Sequence, residues 1–140
     1  MSRDEHYILQ LCDNLLKATA SRQHRFDFLR GDPGKSGRCV RLPVDAYYEA
    51  NGLVIEYRER QHSEPIAIMD QRMTVSKVPR GEQRRRYDRR RREVLPANKM
   101  TLVELDYSMF KHGRNKRLTR DPVADSEVIR SRLRSRGIDI

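Results

Sequence analysis

Two short runs rich in β-branched and aromatic residues, Val40–Tyr48 and Leu53–Glu59, flank Glu49-Ala50-Asn51-Gly52, and this arrangement constrains the fold more than any other feature. Asn-Gly between two such runs predicts a β-hairpin, because Asn and Gly tolerate the positive φ that tight hairpin turns demand. With the turn on residues 49–52, Tyr48 faces Leu53 and opposed residues have numbers that sum to 101. Asp45 then lies across from Glu56. Opposed side chains in antiparallel strands have Cβ atoms roughly 4.5–5.5 Å apart, and like charges there repel. A compensating cation is therefore expected, and a hard divalent ion suits: it binds one or two carboxylates plus water and substrate phosphate. Arg58 shares the face of Glu56, since side chains two apart on a strand point the same way. The bland alternative is an exposed salt-bridge cluster of Asp45, Glu56 and Arg58 on the solvent face of the hairpin.

Around this hairpin the pattern changes period. Ile8, Leu9, Leu11, Cys12, Leu15 and Leu16 recur at helical spacing and predict an amphipathic helix over residues 4–20. Arg25–Leu29 alternates as a short strand. The loop expected over Gly31–Gly37 contains Gly34-Lys35-Ser36, the last letters of a phosphate-binding loop, but the first glycine of that motif would fall on Leu29. A Gly/Pro turn is the reading there. Residues 60–79, interrupted by Pro65 and Pro79, read as a surface loop. A second helix is expected over residues 80–95, stopped by Pro96, with Tyr87, Val94 and Leu95 as a thin apolar stripe. Met100–Tyr107 alternates as a further strand, and Asp121-Pro122 supplies an N-cap and first-turn proline for a last helix.

At 140 residues and 36% hydrophobic content, one domain with a single core and polar tails is expected. No run of eighteen apolar residues exists, and the start Ser2-Arg3-Asp4-Glu5 lacks the apolar stretch of a signal peptide, so a soluble, cytoplasmic protein is expected. Cys12 and Cys39 stand in unrelated contexts with no CxxC spacing, which gives a disulfide framework or zinc site no support. Residues 1–79 carry 12 basic against 11 acidic side chains, whereas residues 80–140 carry 18 against 9. This asymmetry points to a polyanion, with nucleic acid ahead of a membrane surface because no apolar face accompanies the basic residues. Arg84, Arg85, Arg86, Arg89, Arg90 and Arg92 crowd one helix beyond what helix stability explains, and are the candidate DNA contacts; the alternative is a solvated face. Arg91 falls among the apolar stripe and is expected to be buried against an acid such as Asp88.

The run Val44-Asp45-Ala46-Tyr47-Tyr48, then Leu53-Val54-Ile55-Glu56, Gln61-His62, Tyr87-Asp88 with Arg91 and Leu95, and Leu102-Val103-Glu104-Leu105 resembles the compact PD-(D/E)XK endonucleases that include very-short-patch-repair enzymes. The similarity covers roughly residues 40–110. It implies that Asp45 and Glu56 are ligands of Mg²⁺ or Mn²⁺, that His62 lies near the scissile phosphate and that Gln61 takes the polar position before it. The chain departs from the pattern at Arg58, where the superfamily has Lys and the short-patch relatives often Asp, and at Glu59, where those relatives usually have Gly. An arginine can orient water or stabilise negative charge but is almost never a base at neutral pH. The superfamily often places a further acid on the first helix; Glu5 and Asp13 are the candidates, and ordinary helix solvation is the preferred reading of both.

The expected fold is α/β (α+β): a restriction-endonuclease-like core over residues 1–110, made of a helix, a three-stranded antiparallel meander, a crossover helix and an added strand. Residues 111–140 are expected to form a basic extension with a helix, able to wrap DNA or to dock a second protomer. The expected function is metal-dependent hydrolysis of double-stranded DNA by a nucleoid-associated endonuclease, with catalytic residues Asp45, Glu56, Arg58, Gln61 and His62. The alternatives are a catalytically inactive DNA-binding module of the same fold and a basic RNA-binding protein. Cutting both strands at once would need two active sites, which leaves a homodimer or higher homo-oligomer open.

Overall fold

The computed structural model describes residues 2–59 and 80–140. Helix α1 (Arg3–Leu16) leads into strand β1 (Ser21–Pro33), strand β2 (Cys39–Tyr48), strand β3 (Leu53–Arg58), helix α2 (Arg80–Ala97), strand β4 (Thr101–Asp106) and helix α3 (Pro122–Ser135). The fold is thus mixed α+β, with three helices and one four-stranded sheet in the order β1-β2-β3-β4 among the described residues.

The predicted hairpin forms in the predicted register: Ala46 pairs with Ile55, Tyr47 with Val54 and Tyr48 with Leu53, antiparallel. Its turn is a 3-10 turn over Glu49–Asn51 closed by Gly52 at φ 54, where a left-handed backbone favours glycine. Strand β4 lies parallel to β3, from Leu53↔Thr101 to Arg58↔Asp106, with α2 intervening between them in sequence. A parallel neighbour needs such a long connection, so the sheet is mixed. Leu53, Val54, Ile55 and Tyr57 are all buried, the near-continuous apolar run of a strand covered on both faces.

Several boundaries move. Strand β1 spans 13 residues and runs through Gly31 to Pro33, so the turn occupies only residues 34–38, closed by Gly34 N donating to Arg38 O at 3.0 Å. Gly31 is in the strand for a packing reason: a Cβ there would meet the Tyr87 hydroxyl at 2.9 Å. Helix α1 ends at Leu16 because Lys17 adopts a left-handed φ of 53 and returns its N–H to Asp13 O. Helix α2 continues past Pro96 to Ala97. The missing proline N–H costs little in that last turn, where Lys99 N and Met100 N close onto Pro96 O and Leu95 O.

Contacts divide the described residues into two units, neither of them bounded at residue 110: residues 2–24, 44–59 and 101–140 belong to one, and residues 25–43 and 80–100 to the other. In the first, Ile8, Leu9 and Cys12 of α1, Leu53 and Ile55 of β3, Val103 and Leu105 of β4, and Ile129 and Leu133 of α3 make one buried cluster. The C-terminal helix is therefore part of a core, and its Asp121 cap is the one predicted, with the carboxylate accepting from Ala124 N at 3.2 Å. Asp13 is fully employed in structure: it accepts from Ala20 N, from the Arg22 guanidinium and from the Tyr48 hydroxyl, tying α1 to the start of β1 and the end of β2. In the second unit, Phe26, Leu29, Leu42 and Leu95 are buried. No helix among the described residues is long and apolar enough to cross a membrane, and both cysteines are free.

Candidate functional site

Strands β2 and β3 pair regularly up to Ala46 and Ile55. One residue further on, side chains take over from the backbone ladder. Asp45 N donates to Glu56 Oε2 at 2.9 Å, and Tyr57 N donates to Asp45 Oδ2 at 2.9 Å. Each carboxylate thus spends one oxygen on an amide of the other strand. Both acids are fixed in the seam between the strands, where the register predicted them, with Glu56 only 1% exposed. Backbone N–H dipoles aimed at these carboxylate oxygens offset part of the repulsion between the facing acids.

Arg58 supplies another part. Its Nη2 stands 3.9 Å from Glu56 Oε1 and its Nε 3.8 Å from Glu104 Oε2. Glu104 enters through the parallel register, which sets Glu56 beside Glu104 and Arg58 beside Asp106. The guanidinium therefore lies between acids of two neighbouring strands, with its side chain only 17% exposed.

Two further residues bear on Asp45, Gln23 by contact and Glu5 through its charge. Gln23 lies at φ 49, an uncommon left-handed conformation within a strand, and its Nε2 stands 3.5 Å from Asp45 Oδ1. Glu5, in the first turn of α1, is the second. Partial burial, then the Asp45 carboxylate, then Glu59, push its carboxyl up from 4.5 to about 7, against the opposing pull of Arg22. Glu5 Oε2 is buried with no hydrogen-bond partner among the described residues. An excess of negative charge with an unsatisfied buried oxygen is the signature of a place where a cation would be welcome.

The donor set fits a hard divalent cation on these grounds: Asp45 retains an oxygen held by nothing stronger than a 3.5 Å contact, and Glu5 brings an orphaned one. No group of three or more His, Cys, Asp or Glu side chains is disposed as a ready-made metal cage among the described residues, so any ion would be completed by water or substrate oxygens. Gln61 and His62 lie outside the described residues.

The arginine helix α2 is a separate matter. Arg91 is bound inward as expected, donating to Pro43 O at 2.9 and 3.2 Å and pairing with Asp88 at 3.2 Å. Arg90 is also bound inward, to Arg30 O at 2.9 Å and to Asp32 Oδ1 at 3.1 Å, and stacks 5.3 Å over the Tyr87 ring. Arg84, Arg86, Arg89 and Arg92 are exposed and Arg85 is half-buried. Of the six candidate contacts, Arg90 is thus bound toward β1, while Arg86 pairs with Glu82 one turn back at 3.3 Å.

The sequence reading left out Gln23 and Glu104. Glu104 had a weak signal, an acid inside the apolar run Leu102–Leu105; Gln23 had none. Comparison of the chain with family models, with characterised proteins and with solved structures returns no match.

Proposed function

We propose that the protein is a metal-dependent endonuclease acting on double-stranded DNA, built on a restriction-endonuclease-like core. The observation that carries this reading is the pair Asp45 and Glu56, set across two strands with one oxygen of each tied to the opposite backbone and with the Glu5 carboxyl responding to the same charge. Asp45 and Glu56 would hold Mg²⁺ or Mn²⁺, with water and substrate oxygens completing the coordination. The bound ion would polarise a phosphoryl oxygen and lower the pKa of a water. In the hydrolysis, the water oxygen bonds to phosphorus, the bond from phosphorus to the leaving sugar oxygen breaks, and that oxygen takes up a proton. Arg58, between Glu56 and Glu104, would stabilise negative charge on the phosphoryl group and, as a guanidinium, is not the base. Gln61 and His62 retain the roles that the family resemblance gives them, His62 as the proton-transfer group. The exposed arginines of α2 supply non-specific affinity for the phosphate backbone.

Nicking of supercoiled plasmid in Mg²⁺ or Mn²⁺ tests the reading. Asp45→Asn and Glu56→Gln keep an oxygen for the backbone amides while removing the charge, and each should reduce nicking by at least about a hundredfold, the scale of losing a main electrostatic stabiliser. Wild-type rates in both variants would sink the assignment. A second reading has one observation in its favour: the Glu56–Arg58–Glu104 bridge is an internal cation site, able to hold the strands without an ion. On that reading the protein binds duplex DNA without cutting it, and salt-sensitive binding would persist while no metal supports nicking.

A further inference from the structure

The basic segment 111–120 carries five Lys and Arg side chains and no acid, and it is folded. His112 and Leu118 form an antiparallel bridge, Gly113 N donates to Arg117 O at 2.9 Å, Lys116 N to Gly113 O at 3.0 Å and Thr119 N to Lys111 O at 2.8 Å. The result is a small hairpin whose tip is Arg114-Asn115-Lys116-Arg117. It is anchored at its base. Leu118 is buried in the α1/α3 core cluster, and Asp4 at the start of α1 accepts from Leu118 N at 3.0 Å and from the Arg120 guanidinium at 3.1 and 3.3 Å.

The tip points its charge outward. All four of its residues are exposed. Lys116 takes the left-handed φ of 65, a conformation that side chains other than Gly and Asn adopt at a cost, and its Nζ lies 5.7 Å over the Tyr107 ring. Arg114, Arg117 and the exposed Arg3 have no ion-pair partner among the described residues. Asp4 is already matched by Arg120. Fixed cations without internal partners are what an external polyanion would meet.

Between the hairpin and the start of α1 runs a polar groove of about 820 Å³, lined by Arg3, Asp4, Glu59, Lys116, Arg117 and Arg120 among others. A strand lying in this groove would have its backbone against Arg3, Lys116 and Arg117.

We propose that the hairpin 112–118, with Arg3, is a clamp for the sugar-phosphate backbone of duplex DNA, seating one strand along this groove. The inference rests on the duplex-binding part of the reading above, and not on cleavage. A nucleic-acid backbone fits better than an anionic membrane because the surface is concave and the tip carries no apolar side chain to enter a bilayer interface. The hairpin is pre-formed, so little ordering entropy opposes binding.

The test is fluorescence anisotropy with a blunt 30-base-pair duplex in EDTA, from about 50 to 200 mM KCl, the range over which phosphate contacts change affinity most. The triple variant Arg114→Glu, Lys116→Glu and Arg117→Glu is compared with wild type, with the gentler pair Arg114→Ala and Arg117→Ala as a second variant that leaves the Lys116 turn intact. Circular dichroism and thermal melting should be unchanged for the Ala pair. Each lost phosphate contact should flatten the slope of log K against log salt by about 0.9, so the Ala pair should lose about 1.8 and affinity should fall at least about tenfold at low salt. Wild-type affinity and slope in both variants would overturn the clamp, and with intact nicking the nuclease reading would still stand. Wild-type protein that does not bind duplex, or variants that lose only their affinity for phosphatidylserine vesicles, would overturn it too. Hairpin-dependent duplex binding without nicking in Mg²⁺ or Mn²⁺ would uphold the clamp and sink only the nuclease reading.

Discussion

Helices α1 and α2 are made by opposite means. Of 14 residues in α1, Ile8, Leu9, Cys12 and Asp13 are buried, and both ends are finished locally, by the Ser2 hydroxyl accepting from Glu5 N and by the left-handed Lys17. Of 18 residues in α2, only Gly81, Asp88 and Leu95 are buried, one every seven residues along a single line. Its other attachments are polar: Tyr87, whose hydroxyl accepts from Asp32 N at 2.9 Å, and the inward guanidinium groups of Arg90 and Arg91. The first helix is held by an apolar face and the second by a seam of hydrogen bonds. A helix held on so thin a seam leaves most of its circumference for solvent or a ligand, which is why its charge density is tolerable.

The contrast breaks most visibly in the core. Leu9→Ala should cost about 2–5 kcal/mol, the usual price of emptying a fully buried leucine site, read as a lower denaturant midpoint. On α2 the corresponding weak point is polar: Arg91→Ala removes a charged partner of the buried Asp88 and both guanidinium donors to Pro43 O, with a loss of about 1.5–3 kcal/mol. If Arg91→Ala melts with wild type while Leu95→Ala does not, the seam is apolar after all.

Glu5 sharpens the comparison on the α1 side. Its folded pKa of about 7 lies above the ordinary 4.5, so the folded state holds an extra proton between those values. Stability of the metal-free protein should therefore fall as pH rises from about 4.5 to 7 and level off above, because the unfolded chain binds fewer protons there. Glu5→Gln should flatten that decline, which melting temperatures in EDTA across the window would show. The smallest expected effect belongs to the exposed arginines: Arg84→Ala, Arg89→Ala and Arg92→Ala together should change stability by no more than about 0.5 kcal/mol each, while the salt slope of duplex binding drops.

The hairpin, its register and the facing acids were legible because a period of two and an Asn-Gly turn together leave one alignment. The α3 cap was legible for a similarly local reason, since Asp121-Pro122 carries its own geometry. What escaped were features set by distant partners. Gly31 reads as punctuation in sequence, yet sits inside a strand because Tyr87, 56 positions on, needs the space. Glu104 becomes a neighbour of Glu56 only through the parallel crossover, which no local pattern specifies. Glu5 could not be told from a solvated helix acid without knowing that Asp45 stands in its field. The last helix looked like a tail because its apolar residues are few; Ile129 and Leu133 are nevertheless fully buried.

The reciprocal amide-to-carboxylate hydrogen bonds between the two strands have a spectroscopic consequence. The amide hydrogens of Asp45 and Tyr57 each rest on an acidic group of the opposite strand, so they are built-in reporters of whatever happens to those groups. In a ¹⁵N-labelled sample, titrating a paramagnetic ion such as Mn²⁺ would broaden these two resonances ahead of the rest, and neutralising either acid would shift the signal belonging to the other residue's strand.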